Sequence, residues 1–381
     1  MIATSAAPCP AGMPGGARLE CIPLLFPGDA RLFLRRAIGP RAGKPVLLIH
    51  GASAAGDTFL VPAGASVVDF LVEKGFDVWI LDWRTSFHVT AAEPALANQS
   101  ADHAAAVDLP AALEAIRTTR HAEKTAYRPT SVIAHCMGAA CLSMGIGAGL
   151  VTRAGHEVDR VLLSSIGLFY EVSWDGWAKV QDRVLERVFA QNPGLQTVSP
   201  LVSKAAPWPA ALEEVFALWP AAWGPPWEED FFQRLAFLFG QPFLVSNLHP
   251  DVTREVIRGQ FGAIPFSFYR HTAQQVLRGF AGKLDAEAAL PIATPNGEIS
   301  TVLSQTYLNP ARFAPFDLTL LTGAGNPLWH RDSVDRMGEW LRRQPTQSVT
   351  KHVLDGYGHQ DLWWGRHSAR DVFPLVFRAV C

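Results

Sequence analysis

A short strand, a sharp turn and a helix are predicted at residues 130–144, and this segment limits the possible folds more than any other. It reads T-S-V-I-A-H-C-M-G-A-A-C-L-S-M. Val132, Ile133 and Ala134 are apolar and partly β-branched, which favours a strand buried on both faces. Small and helix-favouring residues follow at once. Cys136 is therefore predicted to lie on the turn between the strand and the helix.

The residues around Cys136 are small enough for such a turn. Ala134, Gly138 and Ala139 would let the strand and helix backbones approach each other closely. A strained strand-to-helix turn of this kind is used to expose a nucleophile above a sheet. The alternative is a buried cysteine that acts as a small apolar side chain, which is common for a free cysteine. Whether Cys136 is a nucleophile or a buried apolar side chain depends on whether catalytic partners are found elsewhere in the sequence.

Strands and helices alternate through the first half of the chain. Strands are predicted at residues 19–25, 30–38, 45–50, 76–81 and 158–166. A helix at residues 66–74 begins with a Ser66-x-x-Asp69 capping box, and another begins near Pro110. This alternation forces right-handed crossovers, so we predict an α/β fold with a mostly parallel sheet and helices on both faces. A functional site is expected at the C-terminal ends of the strands.

Residues 170–313 lack this alternation and are too long for a loop. We predict a mainly helical cap insertion that is rich in aromatic residues. Most of the aromatic rings are expected to pack in the core of the cap itself. Alternatively, they line an apolar tunnel above Cys136. The aromatic residues are Trp174, Trp177, Trp208, Trp219, Trp223, Trp227, Phe216, Phe231, Phe232, Phe237, Phe239 and Phe243.

The last part of the chain returns to alternating elements. Strands are predicted at residues 316–322 and 349–354, and helices at residues 332–342 and 369–379, with Asp332 as the N-cap of the first helix. The loop after the first strand contains Asn326. The Gly-rich turn after the last strand contains His359, at the place where such folds supply a base. We predict a disordered tail at residues 1–17, a core at 18–169 and 314–381, and the cap between them.

These motifs, taken in order, resemble those of the α/β hydrolase superfamily. The segments H-G-A-S, D-V-W-I-L-D-W-R and A-H-C-M-G resemble hydrolase-like proteins or domains associated with cholesterol-oxidase-type flavin oxidoreductases. The segment L-V-E-K-G-F-D-V-W-I-L-D-W-R and the cysteine on the turn also resemble polyhydroxyalkanoate synthases. The likeness covers residues 45–172 and 316–381. It implies an α/β-hydrolase fold in which Cys136 is the nucleophile and His359 is the base.

The sequence departs from the usual pattern at the acid position, which holds Asn326. An amide that orients the ring can serve a thiol nucleophile, because a Cys-His pair can rest as thiolate and imidazolium. Asp332 is the alternative orienter, and helix capping is its other possible role.

A His-Gly pair after a buried strand is typical of an oxyanion-hole loop. We therefore expect the backbone N–H groups of Ala52 and Met137 to form the oxyanion hole.

The combined pattern predicts a cysteine-nucleophile acyl hydrolase, an esterase or thioesterase that acts on an apolar acyl substrate through a covalent acyl-enzyme. One alternative is an acyltransferase with chemistry like that of polyhydroxyalkanoate synthases. A second alternative is a non-catalytic protein that binds an apolar ligand or a partner. No cofactor or metal is expected, since the sequence has no flavin-binding G-x-G-x-x-G domain and no H-E-x-x-H spacing. The oligomeric state stays open.

Composition excludes several other classes of protein. The formal net charge is -2, without the basic excess that nucleic-acid binding requires. The five cysteines form no C-x-x-C pair and are too few for a disulfide framework, which favours a reducing, cytoplasmic compartment. Residues 1–17 do not resemble a signal peptide, and no apolar run is long enough to span a bilayer.

Overall fold

The structure is a computed structural model, and it describes most of the chain. The described residues are 7–8, 19–25, 31–37, 39, 42–92, 99–192, 195–202, 208–219, 223–224, 226–284, 307–344 and 348–381. The predicted tail at residues 1–17 lies outside these ranges, except for residues 7–8, which form a short strand.

A large sheet forms the centre of the described part of the chain. The strands are β1 (Ala7–Pro8), β2 (Leu19–Leu25), β3 (Arg31–Ala37), β4 (Pro45–Ile49), β5 (Asp77–Asp82), β6 (Thr130–His135), β7 (Val158–Ser164), β8 (Thr197–Val198), β9 (Ile264–Pro265), β10 (Asp317–Gly323) and β11 (Val349–Leu354). The order in the main sheet is β1-β2-β3-β5-β4-β6-β7-β10-β11, and β8 pairs with β9 separately. The six strands β5, β4, β6, β7, β10 and β11 run parallel to one another. The pairs β1-β2, β2-β3 and β3-β5 at one edge are antiparallel. The mostly parallel sheet predicted from the sequence is confirmed.

Helices cover both faces of this sheet, as predicted. The α-helices of the described part of the chain, including those of the insertion described below, are α1 (Val67–Glu73), α2 (Phe87–Ala92), α3 (Ala101–His103), α4 (Leu109–Ala122), α5 (Met137–Ala148), α6 (Arg153–His156), α7 (Trp174–Gln181), α8 (Val184–Gln191), α9 (Ala210–Ala217), α10 (Asp230–Phe239), α11 (Arg254–Arg258), α12 (Phe266–Arg278), α13 (Asp332–Arg342), α14 (Asp361–Trp364), α15 (Ser368–Asp371) and α16 (Phe373–Val380). Val132 and Ala134 pack in the core beneath α4 and α5, whereas Ile133 packs in the core beneath α1 and α16. This is the two-residue period of a strand buried on both faces.

Two helix ends differ from the sequence-based expectation. Arg331 occupies the N-cap position of α13, and Asp332 is already in the first turn, so Asp332 is not the N-cap. The predicted C-terminal helix at residues 369–379 is divided into α15 and α16 at Val372. Pro374 lies in the first turn of α16, where its missing N–H is tolerated, whereas in the interior of one long helix it would disrupt the hydrogen bonding.

An insertion lies between β7 and β10, and it contains α7 to α12 with the β8-β9 pair. It has its own apolar core, which includes Leu185, Phe189, Leu212 and Phe237. The rings of Trp208, Trp219 and Phe216 pack against Phe237. Several of the aromatic residues predicted for the cap therefore stabilise the insertion itself.

The cysteines correct one expectation from the sequence. Cys21 is disulfide-bonded, whereas Cys136, Cys141 and Cys381 are free. A disulfide depends on which backbone segments the fold brings together, and cysteine spacing alone does not show this. The bond at Cys21 removes the argument from cysteine usage for a reducing compartment. Among the described residues, no helix is both long and apolar enough to cross a membrane.

Candidate active site

Cys136 lies on the turn between β6 and α5, in a backbone conformation that is rare for a residue with a side chain. Its φ is 55° and its ψ is -133°. Strain of this kind is typical of functional turns. Gly138 makes the turn possible, because a Cβ there would come within 2.4 Å of the carbonyl oxygen of His50. The sequence thus positions the cysteine at the C-terminal edge of the sheet.

Several N–H donors surround the sulfur of Cys136. The indole Nε1 of Trp329 donates to Sγ at 3.4 Å. The backbone N–H groups of Met137 and Ala52 also donate towards the sulfur. Gly51 leaves room for this approach, since a Cβ there would lie 2.8 Å from the Cβ of Cys136. The two residues expected at the oxyanion hole are therefore both beside the candidate nucleophile.

His359 and Asn326 form the other half of the site. His359 is 2% exposed and Asn326 is 4% exposed. Nδ2 of Asn326 lies 3.2 Å from Nδ1 of His359. His359 and Cys136 line the same cavity. The structure thus brings together the predicted thiol, imidazole and amide from three separate parts of the chain.

Burial keeps both the thiol and the imidazole neutral. Desolvation raises the pKa of Cys136 to about 11, although the N–H donors around the sulfur oppose this shift. Desolvation also lowers the pKa of His359 to about 3. The charged form of a group is disfavoured wherever water is excluded. A neutral pair near pH 7 replaces the thiolate and imidazolium pair that we expected from the sequence.

Asp332 is not brought to the site. Its side chain is 57% exposed and its carboxylate lies 3.1 Å from Nδ1 of His330. The first turn of α13 directs it towards solvent rather than towards His359. Between the two orienters left open by the sequence, only Asn326 contacts the imidazole.

A second histidine, which we did not select from the sequence, packs against His359. The ring of His135 lies 4.4 Å from that of His359, measured between centroids. Its Nδ1 is 3.0 Å from Oγ of Ser164. Burial and the neighbouring His359 both lower the pKa of His135. The sequence contained one signal for this contact, because His135 directly precedes Cys136. A residue beside the nucleophile on such a turn lies close to the base.

The D-W-R segment supports the loop that carries Ala52. Trp83 donates its indole N–H to the carbonyl oxygen of His50 at 3.1 Å. Asp82 accepts a hydrogen bond from the backbone N–H of Gly56 at 2.9 Å and forms an ion pair with the buried Arg35 at 2.7 Å. The sequence pattern assigned no role to Asp82 or Trp83, and the structure shows that they hold the loop in place.

The cavity above Cys136 is apolar and is formed largely by the insertion. The cavity and its open mouth together comprise about 950 Å³ of space between protein atoms, of which about 110 Å³ can hold the centre of a water molecule. Leu238, Phe239, Phe268 and Val276 are among the residues that line it from the insertion. Of the twelve aromatic residues named above for the cap, only Phe239 is among the residues lining this cavity in the described structure.

Two polar residues in the cavity wall, Lys179 and Tyr269, form hydrogen bonds within the insertion. Nζ of Lys179 donates to the carbonyl oxygens of Ala236 and Phe237, at 3.3 and 2.8 Å. The hydroxyl of Tyr269 donates to the carbonyl oxygen of Leu238 at 3.3 Å. These bonds tie α7 and α12 to the end of α10. In the described part of the chain, no group of three His, Cys, Asp or Glu side chains is placed to hold a metal ion.

Comparisons with known proteins identify similar structures but no similar sequence. No protein-family model matches the chain, and no curated protein matches it. A lipase in its open form matches with a TM-score of 0.53 and 15% identity, over 94% of this chain and 97% of that chain. A highly thermostable carboxyl esterase from Bacillus coagulans, in complex with glycerol, gives a TM-score of 0.53 and 12% identity, over 95% and 99%. DcsB in complex with its substrate analogue gives 0.52 and 11%, over 94% and 98%.

Proposed function

The chain has the α/β hydrolase fold, and from this premise we propose that it is a cysteine-dependent acyl hydrolase, an esterase or thioesterase. The observation that carries the proposal is the position of Cys136. It stands on a strained turn at the C-terminal edge of the sheet, with two backbone N–H donors and an imidazole in the same cavity. Thiol, base and oxyanion donors are the parts that acyl transfer requires.

The proposed reaction has two steps. Sγ of Cys136 attacks the carbonyl carbon of the substrate, and the thiol proton passes to His359. The tetrahedral intermediate then collapses, the C–O or C–S bond to the leaving group breaks, and His359 gives the proton to the departing alkoxide or thiolate. The N–H groups of Ala52 and Met137 hold the oxyanion, and removal of one such donor typically costs about a hundredfold or more in rate. Water then attacks the acyl-cysteine and gives up a proton, which returns to the sulfur as the free acid is released.

We propose an apolar acyl group as the substrate and residues 170–313 as the cap that binds it. Leu238, Phe239 and Val276 present carbon atoms to the cavity. The polar groups of Lys179 and Tyr269 are engaged with backbone carbonyl oxygens. A wall of this composition favours an alkyl or aryl chain over a charged group.

Intact mass spectrometry tests this proposal. The protein is exposed to p-nitrophenyl octanoate and to an octanoyl thioester, and the adduct is mapped by peptide mass. We expect an octanoyl adduct on Cys136 that is absent from Cys136→Ala and unaffected in Cys381→Ser, whose thiol is exposed. An unmodified Cys136 under all conditions would support the binding protein instead. Transfer of the acyl group to an added alcohol or amine, rather than release of free acid, would support the transferase.

A further inference from the structure

The amide of Asn326 is fixed in one orientation by the backbone that follows it. Oδ1 accepts hydrogen bonds from the N–H groups of Leu328 and Trp329, both at 3.1 Å. A rotated amide would place its NH₂ group against these two donors, and an NH₂ group has no acceptor to offer them. Oδ1 therefore faces the backbone and Nδ2 faces His359.

This orientation decides where His359 carries its proton. Nδ2 of Asn326 can only donate, so Nδ1 of His359, at 3.2 Å, must accept. A neutral imidazole has one donor nitrogen and one acceptor nitrogen. With Nδ1 as the acceptor, the proton is on Nε2, which is the nitrogen left for the cavity that His359 lines. An aspartate in the place of Asn326 would accept from Nδ1–H and impose the opposite tautomer.

We propose that Asn326 is a positioning residue that holds His359 as the Nε2–H tautomer and thereby restrains proton transfer from Cys136 and from water. This inference rests on the proposed function. To accept the thiol proton on Nε2, the ring must first place its own proton on Nδ1. That change requires rotation of the Asn326 amide and the loss of its bonds to Leu328 and Trp329.

The restraint on proton transfer should slow the hydrolysis of the acyl-cysteine by water more than it slows the attack of Cys136 on the substrate. A thiol is far more acidic than water, so attack by water depends more on a base. The acyl group on Cys136 should therefore persist, and product release should begin with a burst equal to the enzyme concentration. Slow hydrolysis would leave the acyl-cysteine available to acceptors other than water.

The substitution Asn326→Asp should release the restraint. One oxygen of the introduced carboxylate would still accept the hydrogen bonds from the N–H groups of Leu328 and Trp329. The other oxygen would accept a hydrogen bond from Nδ1–H of His359. Changing the acid of a Ser-His-Asp triad to an amide lowers kcat by about 10⁴. For a thiol, which needs less help from a base, we expect the reverse change to raise kcat by about tenfold to a hundredfold, with KM changed by less than about twofold.

Nitrogen NMR and kinetics test the two parts of the inference. The ¹⁵N shifts of His359, assigned with His359→Gln, should show Nε2–H in the wild type and Nδ1–H in Asn326→Asp. Asn309→Asp is the matched control, because Asn309 is exposed and the charge change is the same. A wild-type His359 ring protonated on Nδ1 would contradict the proposed Nε2–H tautomer. A shifted tautomer without faster turnover, while Cys136 is still acylated, would overturn the restraint.

The NMR result does not depend on a substrate. If Cys136 is acylated in no variant, the proposed function fails, and the tautomer is still decided by the ¹⁵N shifts. Failure of the two proposals can therefore be told apart.

Discussion

The indole N–H of Trp329 donates to the sulfur of Cys136 across 3.4 Å. Trp329 belongs to the same loop as Asn326, whose amide contacts His359. One loop after β10 therefore positions both the thiol and the imidazole. Nothing in the sequence pattern indicated a tryptophan in this role.

Cys136 should be alkylated slowly near neutral pH. Burial raises its pKa to about 11, so the thiolate fraction at pH 7 is about 10⁻⁴ and should grow about tenfold for each pH unit up to that pKa. We expect this slope for iodoacetamide labelling of Cys136, mapped by peptide mass between pH 7 and about 9.5. His359→Ala should change the rate little, because burial lowers the pKa of His359 to about 3 and leaves the ring uncharged. Fast, pH-independent labelling at pH 7 would instead indicate a thiolate and imidazolium pair.

Replacement of Trp329 should make the thiol less acidic. The substitution Trp329→Phe removes the N–H that opposes the rise in the pKa of Cys136, and it keeps an aromatic ring in place. A hydrogen bond is worth about 1 kcal/mol net, so the alkylation rate near pH 8 should fall by about fivefold. Trp340→Phe is the control, since Trp340 packs on Phe169 and Phe313. Equal rates in the two variants would show that the indole N–H does not act on the thiol.

A methyl group at Gly51 should displace the nucleophile or its loop. A Cβ there would lie 2.8 Å from the Cβ of Cys136 and 3.2 Å from Sγ, both closer than ordinary contact. We expect Gly51→Ala to lower kcat/KM for p-nitrophenyl octanoate by about a hundredfold, the effect of losing one oxyanion donor. Gly259→Ala, where a Cβ meets nothing closer than 3.4 Å, should stay near the wild type. Wild-type activity in folded Gly51→Ala would place the oxyanion elsewhere.

Loss of the imidazole should cost more than loss of the amide. A general acid-base group contributes about 10² to 10⁴ in rate, and we expect His359→Ala to lose that much. Asn326→Ala should cost less, because the loss of an oriented ring is offset by release of the tautomer that Asn326 imposes on His359. Asp332→Asn should remain within about twofold of the wild type, because its carboxylate is exposed beside His330 and surface changes generally have small effects. A large loss of kcat in Asp332→Asn, with the folded state intact, would reverse this assignment.

A longer apolar acyl chain should be preferred over acetyl. Each buried CH₂ contributes about 0.8 kcal/mol, so a few methylenes in the cavity should raise kcat/KM by about one to two orders of magnitude. Val276→Phe should shorten the preferred chain, because Val276 lines the cavity, whereas Leu277→Phe on the exposed face of the same helix should not. A series of p-nitrophenyl esters from acetate to dodecanoate measures this. A flat profile, or a maximum at acetate, would contradict an apolar acyl site.

Local patterns were sufficient for much of the fold. The apolar, β-branched run at Val132 and Ile133 predicted a strand buried on both faces, and the alternation around it predicted a mostly parallel sheet. The capping box at Ser66 and Asp69 predicted the start of α1. These features depend on neighbours a few residues apart, so they can be seen without the tertiary structure. The division of the last helix near Pro374 was missed, although the proline itself was the signal.

Periodicity and turn chemistry are local properties, so the order of residues was enough to predict the sheet, the turn that carries Cys136 and the strand end that precedes His359. Other features of the site could be read only from the folded chain. They are the contact of Asn326 rather than Asp332 with His359, the contact of Trp329 with the sulfur, and the neutral state of both the thiol and the imidazole. These outcomes depend on which distant segments exclude water from one another. Burial and long-range contact arise from the packing of the whole chain, and no short stretch of sequence contains them.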